Sequence, residues 1–174
     1  MVENPLRSIR IQAVSYLSPL EVKAFEDWFR EDFPPNQFQW DKPSWYLTVN
    51  GQSGSIGRVG ILERKILVGG APIRVGGING VATRPHWRHR GVASFAMRSA
   101  AEFMATRLGL EHALLLCSRQ VSPLYAKLGW KPVDGPVSFA QPPGSAVYPG
   151  MTMVLELGKS LFPVGPVDMC GLPW

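Results

Sequence analysis

Apolar residues recur along this chain with two periods, and the change from one to the other outlines its elements. Phe25, Trp28 and Phe29 fall three and four positions apart, the spacing that gathers side chains on one helical face. Ser18-Pro19-Leu20-Glu21 before them is a capping-box pattern with proline at the first helical position, and Phe33-Pro34-Pro35 predicts the stop. Val92, Phe95, Ala96, Ser99, Ala100 and Phe103 repeat the helical step and predict a second helix ending near Gly109. Strands are read at Trp45 to Val49, with Asn50-Gly51 as a turn signal, at Ile56 to Val68 and at Ile73 to Val81. Gly69-Gly70-Ala71-Pro72 turns the chain between the last two. Ala113 to Cys117 is an unbroken apolar run, as expected of a strand covered on both faces. Ser122-Pro123 starts a short helix. Val137 to Ala140 and Met151 to Leu157 read as a closing hairpin around a loop rich in proline and glycine. Strands, crossover helix, strand, helix and hairpin together predict a mixed α/β sheet with helices on its faces.

Bulk properties narrow the class. A chain of 174 residues suits one domain, residues 1–174, with a core large enough to need neither disulfides nor metal. Cys117 and Cys170 have no zinc or redox spacing, and two cysteines are too few for a secreted framework. Glu3, Arg7 and Arg10 interrupt any apolar leader, and no run approaches the roughly 18 apolar residues of a membrane span. The expectation is a cytoplasmic protein with no membrane partner. The net charge of +5 raises nucleic acid as a ligand, but the cations are dispersed except between Arg84 and Arg90. A duplex needs a broader basic face, so no nucleic-acid partner is expected.

That dense cluster sits where the strand ending at Thr83 gives way to the helix beginning after Gly91. A helix start offers unpaired N–H groups and partial positive charge, so Arg88-His89-Arg90-Gly91-Val92-Ala93 reads as an anion cradle. Gly91 and Ala93 leave room for a diphosphate. Neither the phosphate loop ending in Gly-Lys-Ser/Thr nor the Gly-x-Gly-x-x-Gly dinucleotide turn matches this stretch.

Arg-x-x-Gly-x-Ala at Arg88 to Ala93, preceded by Thr83-Arg84-Pro85 and Trp87, resembles the acyl-CoA pyrophosphate loop of the GNAT superfamily of N-acetyltransferases. Leu124-Tyr125-Ala126-Lys127-Leu128-Gly129-Trp130 resembles that family's second signature. The likeness spans about residues 45 to 157 in element order. It implies a mixed, mostly antiparallel twisted sheet with helices on both faces, and acetyl transfer from acetyl-CoA to an amine, with no metal. Backbone at Val81, Ala82 and Thr83 would meet the pantetheine arm, and the N–H groups of Arg88, His89, Arg90, Gly91, Val92 and Ala93 would hold the pyrophosphate. Tyr125 matches the proton donor to the departing thiolate. A dimer is a family-level expectation.

Where many members carry a glutamate base, this chain has Asn79, which can orient a water or an amine but cannot take a proton. Gly80 to Ala82, Leu124 to Ala126, Gly135 to Ser138 and a tail with Met169-Cys170 ending at Trp174 are more particularly similar to the aminoglycoside 2′-N-acetyltransferases. That similarity implies an amine-anchoring role for the α-carboxylate of Trp174. Six of the thirteen acidic residues fall between Glu21 and Asp41. Asp41, with Trp45 nearby, is the candidate contact for a cationic amine, although a solvated helix face also accounts for the others. A small-molecule amine acceptor is the leading expectation. A non-catalytic acyl-CoA-binding module and a protein or peptide amine acetyltransferase are the alternatives.

Overall fold

The computed structural model describes residues 8–33, 36–52 and 54–174. Pro34-Pro35, and residues 1–7 on which the leader-free reading partly rests, lie outside the described residues. Ten strands share one sheet: β1 Ser8–Ala13, β2 Trp45–Gly51, β3 Gly54–Val68, β4 Ala71–Thr83, β5 His112–Cys117, β6 Lys131–Pro132, β7 Val137–Gln141, β8 Gly144–Val147, β9 Met151–Glu156 and β10 Val167–Asp168. Three α-helices accompany them: α1 Pro19–Asp32, α2 Val92–Thr106 and α3 Ser122–Ala126. Among the described residues no helix is long and apolar enough to cross a membrane.

The long strand β3 organises the sheet. β2 pairs along its first half and brings β1 with it, β4 pairs along its other edge, and β10 joins at its far end. Among the described residues, parallel pairing occurs only between β4 and β5 and between β7 and β10. Gly69 and Gly70 connect β3 to β4 with both residues at positive φ, the geometry of a two-residue hairpin turn. The Ser18 capping box forms as expected, with the Ser18 N–H donating to Glu21 at 2.9 Å and the Ser18 hydroxyl accepting from Glu21 N.

The expected closing hairpin does not form. β7 pairs with β8 and β10, whereas β9 lies between β5 and β6. The segment read as a loop contains β8, which is short and lacks the alternation that marks a half-buried strand. β1 also begins the sheet earlier than the pattern suggested. The helix α2 stops at Thr106 rather than near Gly109.

Two apolar layers press on the sheet. One joins Leu47, Val59, Ile61 and Ile78 to Ala96, Met97 and Met104 of α2. The other joins Leu62, Ile66, Val75 and Leu114 to Phe139 and to Met169 and Trp174 of the tail. Tyr46, between two residues that face α2, points to the opposite side and stacks on Phe25 of α1 at 4.5 Å. Helices therefore cover both faces, as the family likeness implied. Adjacent glycines on β4 receive both layers: a Cβ at Gly76 would collide with the Met104 sulfur, and one at Gly77 would lie 2.5 Å from the Trp174 indole.

Candidate active site

Strands β4 and β5 pair only at Gly76–Ile78 with Ala113–Leu115, and then part. The cause lies on β4. Gly60 faces Asn79 and Arg58 faces Ala82, so Gly80 and Val81 together oppose the single residue Val59. This is a β-bulge with Gly80 at φ +53°, and a bulge bends its strand. A side chain at Gly80 would meet the Phe29 ring at 3.0 Å, which explains glycine there.

A cavity of about 450 Å³ opens in the parted strands. One wall is the free edge of β4 from Ile78 to Val81. A second is the end of β5 with Cys117, Ser118, Val121 and Tyr125. The third is aromatic: Phe29 and Phe33 from α1, Phe38 and Trp40 from the following segment, then Tyr148 and Trp174. Phe29 and Phe33 stack at 5.0 Å, and Phe38 meets Trp40 edge-on at 6.2 Å.

Beyond the β4 edge the chain turns through Pro85–Trp87 into the start of α2. His89 and Gly91 both have positive φ, 59° and 74°, and Gly91 at the N-cap of α2 has no side chain to bond the helix N–H groups. Gly91 is exposed and has no Cβ to obstruct a ligand. Arg88 is fixed by two contacts, Nε to the Thr83 carbonyl at 3.1 Å and a terminal nitrogen to Asp32 at 3.1 Å. Arg90 lies 5.6 Å from the Trp87 ring centre. An uncapped helix start, a left-handed glycine and flanking guanidinium groups fit a diphosphate.

Tyr125 is buried on α3 with Trp130 packed edge-on at 6.3 Å. Burial, and then the Cys117 thiol, hold its phenol well above the usual range, so it is neutral and carries a proton at physiological pH. Burial also pushes the Cys117 thiol up to about 11, leaving it protonated.

A strand pair that parts beside an uncapped helix start is the arrangement that the acetyltransferase resemblance implies. Residues 8–133 match the acetyltransferase (GNAT) domain. The chain belongs to the GNAT acetyltransferases. An aminoglycoside 2′-N-acetyltransferase of Mycolicibacterium fortuitum is 26% identical over 139 residues, covering 79% of this chain and 67% of that protein. Among solved structures, Escherichia coli ElaA superposes with a TM-score of 0.64 at 13% identity, over 87% of this chain and 100% of that one. Escherichia coli YhbS in complex with CoA gives 0.62 at 16% identity, over 96% and 94%. Both share the GNAT fold.

Of the residues the sequence singled out, Asn79, Val81, Tyr125 and Trp174 surround one GNAT cavity, and Ala82 and Thr83 lead from it to the cradle at Arg88–Ala93. The Asn79 side chain donates to the Asp41 carbonyl at 3.2 Å. Trp174 is 2% exposed, and its indole N–H donates to the Leu114 carbonyl at 3.3 Å, so it is not a loose tail.

Asp41 is not among the lining residues. Its carboxylate pairs with Arg64, which also donates to the carbonyls of Leu172 at 2.6 Å and Met169 at 3.3 Å and lies 5.1 Å from the Trp174 ring centre. Asp41 N donates to Pro173 O at 2.6 Å, completing a clasp between residue 41 and the tail. Trp45 packs edge-on against Phe103 at 5.9 Å on the α2 side of the sheet, away from the cavity.

Several lining residues escaped the sequence reading. Phe29 was legible as part of the apolar face of α1, but Tyr148 sits in the segment read as a loop, and nothing in the pattern marked Val121 or Ser118. Arg58 was missed as well. It is wholly buried on β3, hydrogen-bonded to nothing among the described residues, and 5.4 Å from both the Trp28 and Phe29 ring centres.

Proposed function

We propose that this acetyltransferase moves the acetyl group of acetyl-CoA to the primary amine of a small molecule by direct attack. The observation that carries this reading is the cavity formed where β4 and β5 part, with the neutral Tyr125 in its wall and the cradle at Gly91 just beyond Thr83. A volume of about 450 Å³ lies in the range of small-molecule sites.

Acetyl-CoA supplies the thioester carbon that the amine attacks, forming the amide C–N bond as the C–S bond breaks. The backbone N–H groups from Arg88 to Ala93 bind the diphosphate, and the free edge of β4 at Val81 and Thr83 holds the pantetheine. Tyr125 gives its proton to the departing thiolate. Its raised pKa keeps that proton available at physiological pH, at the expense of a smaller driving force for transfer.

Asn79 cannot act as a base. When the amine arrives neutral, the one proton its nitrogen still sheds as the amide forms returns through water to the Tyr125 oxygen that protonated the thiolate. A cavity whose described lining side chains are uncharged disfavours an ammonium ion, so desolvation lowers the amine's pKa and releases its proton to water at the mouth. Asn79 then orients the nitrogen by hydrogen bonding.

The first experiment is thiol release from acetyl-CoA across aminoglycosides, polyamines, amino acids, arylalkyl amines and short peptides. Acceptor-dependent release is expected. Tight acetyl-CoA binding with no release for any amine would replace the enzyme with a binding module, and labelled peptide alone would move the acceptor to polypeptides.

A further inference from the structure

The described residues lining the cavity include no aspartate, glutamate, lysine or arginine. Its polar side chains are those of Asn36, Asn79, Ser118, Tyr125 and Tyr148, with the indole N–H groups of Trp40 and Trp174 already donating to Asn36 at 3.0 Å and to Leu114. The acidic residues clustered in sequence beside it are not in reserve. Glu21 pairs with Arg10, Glu26 with Lys42, Asp27 with Lys23, Glu31 with Arg84, Asp32 with Arg88 and Asp41 with Arg64. The outer groove that continues the cavity past Tyr148 adds one charged side chain among its described residues, Arg119, and that is a cation.

Building on the acetyltransferase reading above, we infer that the acceptor is a singly charged amine on an aromatic or apolar body, of arylalkylamine type, and not a polycation. An amine of this kind sheds its one charge by losing a proton on entry, and its ring then buries apolar area against Phe29, Phe38 and Trp40. Any charge kept during entry is met by aromatic faces, which attract a single cation. An aminoglycoside or a polyamine carries several ammonium groups that cannot all be discarded. Each would leave water for a wall whose described side chains offer no carboxylate, where the α-carboxylate expected at Trp174 could meet only one of them, past an arginine at the mouth.

The apolar wall is assigned to the acceptor rather than to a long acyl chain because Trp174 closes the apex where β4 and β5 still pair. Its indole lies on Gly77 and bonds to Leu114, so the space beyond the parted strands lies toward α1 and the 36–40 segment.

The test measures acetyl-CoA, and then 2-phenylethylamine and tryptamine against kanamycin and spermidine, by calorimetry on the CoA-bound protein and by thiol release. The expected result is binding of both arylalkylamines and kcat/KM at least 100-fold above that of kanamycin or spermidine. Two exposed lining positions allow a carboxylate to be added without disturbing the core: Phe33→Asp, at a side 39% exposed, and Val121→Asp, at the 44% exposed cap of α3. Each is expected to lower kcat/KM for tryptamine about tenfold and to raise it for spermidine.

Arylalkylamines that bind but are never acetylated would support the acceptor class and overturn the transferase reading. Kanamycin or spermidine acetylated as well as tryptamine would overturn the acceptor class and leave the transferase standing. Failure of both arylalkylamines to bind would also overturn it, as would faster turnover with decanoyl-CoA than with acetyl-CoA.

Discussion

The two sides of the cleft are built in opposite ways. The cradle side is thirteen consecutive residues, Val81 to Ala93, shaped by a bulge and two left-handed residues, with exposed guanidinium groups around uncapped N–H groups. The aromatic side is assembled from α1, the 36–40 segment, Tyr148 and Trp174, which meet only in the folded chain, and its described lining side chains carry no charge. On the proposed reading, one side would recognise its ligand through backbone and field, the other through shape and apolar area. A diphosphate is the same in every acyl-CoA and suits a fixed backbone site. An acceptor body varies and suits side chains that can be exchanged separately.

The largest expected effect tests the boundary between the sides. Tyr125→Phe removes the proton donor and keeps the packing, so thiol release should fall by about 100- to 10,000-fold while acetyl-CoA affinity stays within about twofold. Unaltered release would mean that another group protonates the thiolate. Because burial raises the phenol above its ordinary value near 10, Tyr125 should impose no fall in rate below pH 10. By the same sign, its contribution to stability is complete below pH 10 and is lost as pH rises through its folded value.

Gly91→Glu attacks the cradle alone. A side chain at φ +74° and a carboxylate at the helix start should weaken acetyl-CoA binding about 100-fold, roughly 2.7 kcal/mol, by calorimetry. Tryptamine binding without CoA should be unchanged, and a parallel loss would show that the sides are not independent.

Arg64→Ala attacks the aromatic side by opening the clasp. Losing hydrogen bonds to two tail carbonyls and to Asp41 should cost about 2–3 kcal/mol in denaturant unfolding. It should weaken acceptor binding more than acetyl-CoA binding.

Arg58→Leu should have the smallest effect. Among the described residues Arg58 forms no hydrogen bond, and burial lowers its pKa to about 10, so an apolar side chain of similar volume should leave stability within about 1 kcal/mol or raise it. The burial penalty is complete below about pH 10 and relaxes as pH climbs toward the ordinary value of 12.5. The wild type should therefore gain on the variant only above pH 10.

The same contrast explains what the sequence disclosed. The cradle was legible because its geometry demands particular residues next to one another: a glycine at positive φ, a small residue two positions on, and arginines beside them. The β3–β4 turn was legible for the same reason, since Gly69 and Gly70 both occupy positive φ. The strands β6, β8 and β10 have two, four and two residues, too few to carry a period, so the hairpin expected of β7 and β9 had no visible competitor. Asp41 looked available because its partner lies 23 residues away in sequence, on the strand β3. Arg58 reads as a surface cation in any strand pattern, and only the packing of Trp28 and Phe29 reveals its burial.

The Arg64 clasp also sets a schedule for the chain as it is made. Leu172, whose carbonyl Arg64 holds, follows it by 108 residues, a delay of about 5–20 s at ribosomal rates of roughly 5–20 residues per second. The cradle and the strands β3 to β5 are all synthesised by Cys117, well before the tail emerges. A growing chain thus completes the side proposed to hold the acyl donor first, and Arg64 waits through the interval for the carbonyls that will close the other side.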